Sequence, residues 1–136
     1  MTYQLEEPFF QEKGKITSQK EIGDNRLQVS FSGEGAMNGN IEVTNKGDFV
    51  QVQKGNNLTQ AQGKGELTTK NGNENASYIF HAVGNVTEEG KPVFLGSAVY
   101  STGSNGKLAF LNNVISFFKV EIDAAGNFLS TERELK

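Results

Sequence analysis

Apolar residues recur at every second position through much of the chain, the period of a strand with one buried face. Residues 26–37 show this cleanly. Leu27, Val29, Phe31, Gly33, Gly35 and Met37 fall in one phase, and Gln28, Ser30, Ser32 and Glu34 in the other. Asn38-Gly39 follows, a pair suited to the type I′ turn because both central residues there need φ > 0, and it predicts a hairpin onto residues 41–45. Residues 58–70 repeat the pattern, with Thr59, Ala61, Gly63, Gly65, Leu67 and Thr69 set against Gln60, Gln62, Lys64 and Glu66. Paired glycines fall on the inward phase of both stretches, as barrels require where strands bend or interior space tapers.

Between Asn75 and Thr102 apolar residues occupy both phases of two runs joined by Thr87-Glu88-Glu89-Gly90-Lys91-Pro92. This central hairpin is the part of the chain predicted to be most buried. Residues 1–12 read as an extended N-terminal arm, and residues 14–22 as the first strand. Residues 107–113, KLAFLNN, do not alternate and predict a short helical or irregular plug. Residues 114–123 and 128–135 read as strands around the turn Ala124-Ala125-Gly126-Asn127. Turn signals about every 8–16 residues predict an all-β domain over 1–136, a single antiparallel up-and-down β-barrel of about eight strands. A sandwich is the alternative; closure is favoured because it removes exposed strand edges.

Composition narrows the function. Ten Phe and no Trp make phenylalanine the main large core residue, and 16 Gly against 2 Pro suit strands and tight turns. A net charge of −3 offers no positive field for a phosphate backbone, so nucleic acid is not an expected partner. The absence of cysteine rules out disulfides, a thiolate nucleophile and Cys-ligated zinc. With one histidine and scattered carboxylates the sequence presents no metal-ligand spacing, and it implies no cofactor. No segment reads as a signal peptide or a membrane-spanning helix, so the expected location is cytoplasmic. The triplets beginning at Asn57, Asn75 and Asn85 match the glycosylation pattern, as chance produces in an Asn-rich chain.

The Gly-x-Gly strand in the first third, the central apolar pair, the stretch GSNGKLAFLNN over 103–113 and the later DAAGN turn resemble an uncharacterised family of small archaeal and bacterial barrel proteins. Its plan is similar to the allene-oxide-cyclase-like and lipocalin-like barrels. The resemblance implies a barrel and, at most, an apolar interior ligand.

Candidate chemistry is sparse. Glu34 and Glu66 hold equivalent places in the two glycine pairs, but alternation puts them outside, where charges are solvated. His81 has no nucleophile motif beside it. Tyr78, Phe80 and Tyr100 share faces with Ala76, Ala82, Gly96 and Ala98, a mixture of large and small that can leave room inside a barrel. Small barrels are either filled or hold one small ligand. The ligand reading places a small hydrophobic molecule among Phe31, Tyr78, Phe80, Tyr100 and Phe118. Two other classes stay open: an enzyme of cyclase or isomerase type using interior polar groups, and a structural protein with a filled barrel. On the outer face, Ile79, His81, Val83, Val93, Leu95 and Val99 would form an apolar patch and predict a homo-oligomer, a dimer first. The plug segment covering that patch is the alternative.

Overall fold

The structure, a computed structural model, describes residues 2–86 and 89–136. Eight antiparallel strands succeed one another: β1 (Leu5–Gly23), β2 (Arg26–Met37), β3 (Ile41–Gly55), β4 (Leu58–Thr69), β5 (Asn75–Val86), β6 (Pro92–Ser101), β7 (Ile115–Ile122) and β8 (Asn127–Leu135). Each pairs with its neighbours in sequence, and β1 also pairs with β8, which closes the barrel. Closure leaves no edge strand to be protected. The expected Asn38-Gly39 turn is present, with φ of 51° and 82° at its two residues. In the β5–β6 turn, Thr87 and Glu88, with the glycosylation triplet ending at Thr87, lie outside the described residues.

The barrel begins earlier than the sequence pattern indicated. Residues expected as an arm are strand from Leu5 onward, because Pro8 falls where the β1–β8 register shifts, between Leu5↔Leu135 and Phe10↔Glu132. A proline has no N–H to give a ladder and is tolerated at such an irregularity. The shift also turns both Phe9 and Phe10 into the core.

One end of the barrel is stoppered by the KLAFLNN segment, where a 3-10 helix (Ala109–Asn113) buries Leu111 and follows the buried Leu108. Both leucines are fully enclosed and belong to the same buried cluster as Phe10, Met37, Leu67, Ala76 and Val114. The loop leading to it is fastened by Glu74, whose carboxylate accepts bonds from Ser104 Oγ and from the Leu108 N–H at 3.1 Å. Those bonds hold Glu74 below the usual carboxylate range. The plug therefore fills the barrel end and leaves the outer wall of β5 and β6 uncovered. Among the described residues no helix is long and apolar enough to cross a membrane.

Candidate functional site

Alternation brings polar residues into the barrel along with the apolar ones. On β1, Glu12 lies in phase with Phe10, Gly14 and Ile16; on β8, Ser130 and Glu132 lie in phase with Phe128. Asn45 on β3, Tyr78 on β5, Tyr100 on β6 and Ser116 on β7 complete a polar belt just inside the plug. Glycines on the two remaining strands make room for it. A Cβ on Gly65 of β4 would collide with the Tyr78 hydroxyl, and one on Gly33 of β2 would lie 2.7 Å from Glu12 Oε2.

Two hydrogen-bonded arms run through the belt. In one, Tyr78 Oη donates to Asn45 Oδ1 at 2.7 Å, and Asn45 Nδ2 donates to the two Glu12 oxygens at 3.0 and 3.1 Å. In the other, Tyr100 Oη and Ser116 Oγ both donate to Glu132 Oε1, the serine at 2.7 Å. The tyrosine rings meet at a centroid distance of 5.4 Å and join the arms.

The two carboxyls are differently provided for. Glu12 is 7 % exposed and receives bonds from a single amide, so burial, reinforced by the nearby Glu132 charge, pushes its carboxyl up to about 8 against the ordinary 4.5. It is a neutral acid at pH 7. Its hydrogen-bond partner, Asn45, is a donor, so the O–H of the acid is left to offer to the barrel interior. Glu132 is also raised by burial, but two O–H donors stabilise its ionised form. Burial beside these carboxyls holds both tyrosine hydroxyls well above their usual range, and they act as donors throughout the neutral region.

Beyond the belt lies an interior cavity of about 80 Å³. Glu12, Asn45, Tyr78, Ser130 and Glu132 form its polar end, and Phe31, Phe49, Phe80, Phe94, Phe118 and Phe128 its walls. Those rings pack edge to face or tilted, with centroids 5.8–6.3 Å apart, so the walls are set by ring-on-ring contacts. Among the described residues no buried side-chain polar atom lacks a partner, and no group of three or more His, Asp or Glu could hold a metal ion.

Of the residues marked as ligand-contacting from the sequence, Phe31, Tyr78, Phe80 and Phe118 line this cavity. Tyr100 stands one step back, holding Glu132 and packing against Tyr78. Glu12, Glu132, Asn45 and Ser116 are site residues that the sequence reading passed over; their signal was a polar residue on an apolar phase. Glu34 and Glu66 are exposed on the outer wall, as alternation requires. Ile79, His81, Val83, Leu95 and Val99 are exposed there too, and Val93 is half-buried. Register places Ile79, Val99 and Ile115 in one row across β5–β7, His81, Ser97 and Phe117 in the next, and Val83, Leu95 and Lys119 in the third.

No protein-family model matches the chain, and no curated protein matches its sequence. Solved structures do match its shape. A protein of unknown function from Clostridium acetobutylicum ATCC 824 superposes with a TM-score of 0.80 at 15% identity, over 99% of this chain and 100% of that one. A β-barrel-like protein from Acinetobacter baumannii AYE gives 0.81 at 14% identity, over 100% and 98% of the two chains. A conserved protein of unknown function from Rhodopseudomonas palustris gives 0.78 at 16% identity, over the full length of both. At such low identity the likeness is one of fold: the chain is a closed eight-stranded antiparallel up-and-down β-barrel of the kind these bacterial proteins share.

Proposed function

We propose that the protein binds a small, uncharged, largely apolar molecule inside its barrel, with a hydrogen-bond acceptor of the ligand on the carboxyl of Glu12. The observation that carries this reading is the placement of the buried acid at the end of an aromatic-walled cavity. The resemblance of the sequence to allene-oxide-cyclase-like and lipocalin-like barrels is in keeping with an interior ligand. A volume of about 80 Å³ corresponds to roughly three water-sized groups, given ~30 Å³ per water in the liquid. Acetone is therefore a fitting probe. Since even the best tiny ligands gain no more than about 1.5 kcal/mol per non-hydrogen atom, its dissociation constant should be no tighter than roughly 40 μM. NMR titration with acetone should shift the methyl signals of Ala61, Ala82 and Ala98, which line the cavity. The affinity should fall as pH rises through about 8, where Glu12 gives up its O–H. Unmoved alanine signals up to high acetone concentration would refute the reading.

A second reading concerns the outer wall and is favoured by one specific observation. Ile79, Val83, Leu95, Val99, Ile115 and Phe117 are each 42–60 % exposed on three adjacent strands. Together they present on the order of 500 Å² of apolar surface, at the upper end for a monomer and most of the ~800 Å² that each partner contributes to a standard interface. We propose that a second copy of this chain covers the face. The grid carries one charge, Lys119 at a corner, paired with Glu121 at 3.3 Å, so two-fold contact about the diagonal from Ile115 to Val83 sets Lys119 opposite Ile79 of the second copy and no like charges against each other. Light scattering should give twice the chain mass, and an Ile79→Glu, Leu95→Glu variant should give the monomer mass. A monomeric wild type, or a variant of unchanged mass, defeats the proposal.

A further inference from the structure

Two spaces lie in line inside this barrel. The first is the cavity at the polar belt. The second is a vestibule of about 430 Å³ at the mouth opposite the plug, where the ends of β1 to β7 converge. Ile16, Phe49, Phe94 and Ile122 border both spaces and so form the partition between them. Phe94 is the piece of that partition with the most specific seat. Its ring meets Phe49 at a centroid distance of 6.3 Å. Directly opposite Phe94 on β5 is Gly84, where a Cβ would lie 2.6 Å from the Phe94 ring. Any larger residue at Gly84 would displace the ring from the position it now holds.

The vestibule has its own chemistry. Gln19, Gln51, Gln53, Asn57, Thr59 and Asn85 line it, all polar and all uncharged. Asp123 is the single charged residue among the described lining residues. Its carboxylate is engaged within its own turn, accepting bonds from the Ala125 and Asn127 N–H groups at 2.9 Å each. Among the described lining residues an anionic ligand would find no counter-charge and a cationic one only a carboxylate already engaged in its own turn, while an uncharged ligand would meet an apolar throat and an amide rim.

We infer that cavity and vestibule are two halves of one site for a slender, uncharged molecule, with a hydrogen-bond acceptor at its inner end and an aliphatic chain directed toward the mouth, and that Phe94 determines the chain length admitted. The inference rests on the reading of the interior as a binding site and adds the ligand's shape and the residue that selects it. Joined, the two spaces reach the size of small-molecule sites, about 300–1,000 Å³, which the inner cavity alone does not.

The test is a homologous series of methyl ketones, from acetone to 2-octanone, titrated into the wild type and into Phe94→Ala and Phe94→Leu, with folding of each verified by its amide spectrum. Each methylene that gains cover is worth roughly fourfold in affinity. In the wild type, affinity should go on rising past the member that fills the inner cavity, but by less than that factor per methylene, because the chain must pass Phe94 to enter the vestibule. In Phe94→Ala the preference for 2-octanone over acetone should grow by at least ~10-fold, with Phe94→Leu intermediate. If acetone binds the wild type but all three proteins share one length profile, Phe94 is not the selector and the inference fails while interior binding stands. If no ketone binds any of the three, interior binding itself fails and this inference with it. Should Phe94→Ala not fold, Phe94→Leu decides between the same outcomes.

Discussion

Glu12→Gln should melt roughly 5–10 °C above the wild type at pH 7, for a domain of this size. Replacing a buried, hydrogen-bonded side chain usually destabilises; here the cost of keeping the acid protonated reverses the sign. In the unfolded chain Glu12 ionises near 4.5, whereas in the barrel it ionises near 8. A carboxyl whose folded value is raised contributes fully at pH below 4.5, and the contribution drains away as pH climbs toward 8, at about 1.36 kcal/mol per pH unit. By pH 7 roughly 3 kcal/mol has gone into keeping the folded side chain protonated. Glutamine is neutral in both states and avoids that loss, less what it costs to turn one of two facing amides, since Asn45 Nδ2 now addresses both Glu12 oxygens. Glu132 and Tyr78 face Glu12 from the other strands of the belt, and Glu132 adds a loss of the same sign in its own window. Denaturant melts at pH 5, 6, 7 and 8 check this. The wild type should weaken steadily over the range, and the variant should weaken less. A variant weaker than wild type at pH 7, with an unchanged slope, would mean that Glu12 is ionised and well paired.

Gly65→Ala should cost about 3 kcal/mol. The added methyl would occupy the place of the Tyr78 hydroxyl and ring edge. The ring cannot retreat easily, because it packs against Phe80 and Tyr100 at centroid distances of 6.0 and 5.4 Å. Overpacking of this kind costs ~1–3 kcal/mol, and losing the Tyr78 bond leaves Asn45 Oδ1 buried without its donor, a further ~1–3 kcal/mol. The mechanism makes a sharper claim than the magnitude does. In a Tyr78→Ala background the methyl has space, so the same substitution should cost close to nothing and the double-mutant cycle should show coupling above ~1.5 kcal/mol. Additive losses would place the strain elsewhere.

The wall of the barrel was legible because alternation over β2 and β4 is a direct consequence of pleating, and Asn38-Gly39 marks its turn by the positive φ it needs. The plug was legible for the converse reason, since KLAFLNN breaks the alternation. The polar belt was not. Glu12 stood in a segment read as an arm, because Pro8 and the double Phe9-Phe10 break the period where β1 changes register against β8. Once that shift is known, Phe10, Glu12, Gly14 and Ile16 fall in one phase and the carboxyl must point inward. Glu132 and Asn45 have the same character: single polar residues on an apolar phase, whose partners come from strands 16 to 33 positions away. Sequence neighbours carry no trace of such pairings. The glycines were noticed as tapering devices, but which side chains they accommodate depends on the stagger of neighbouring strands.

The measurement closest to the centre of this account is a titration of the Glu12 side-chain carboxyl by ¹³C NMR, with Glu132 followed in the same spectra and Glu12→Gln used for assignment. The expected midpoint for Glu12 is near 8, with the carboxyl neutral at pH 7 and ready to donate its hydrogen into the cavity. A midpoint near the ordinary 4.5 would put a carboxylate there instead, and would contradict both the polar end of the proposed site and the pH dependence drawn from it.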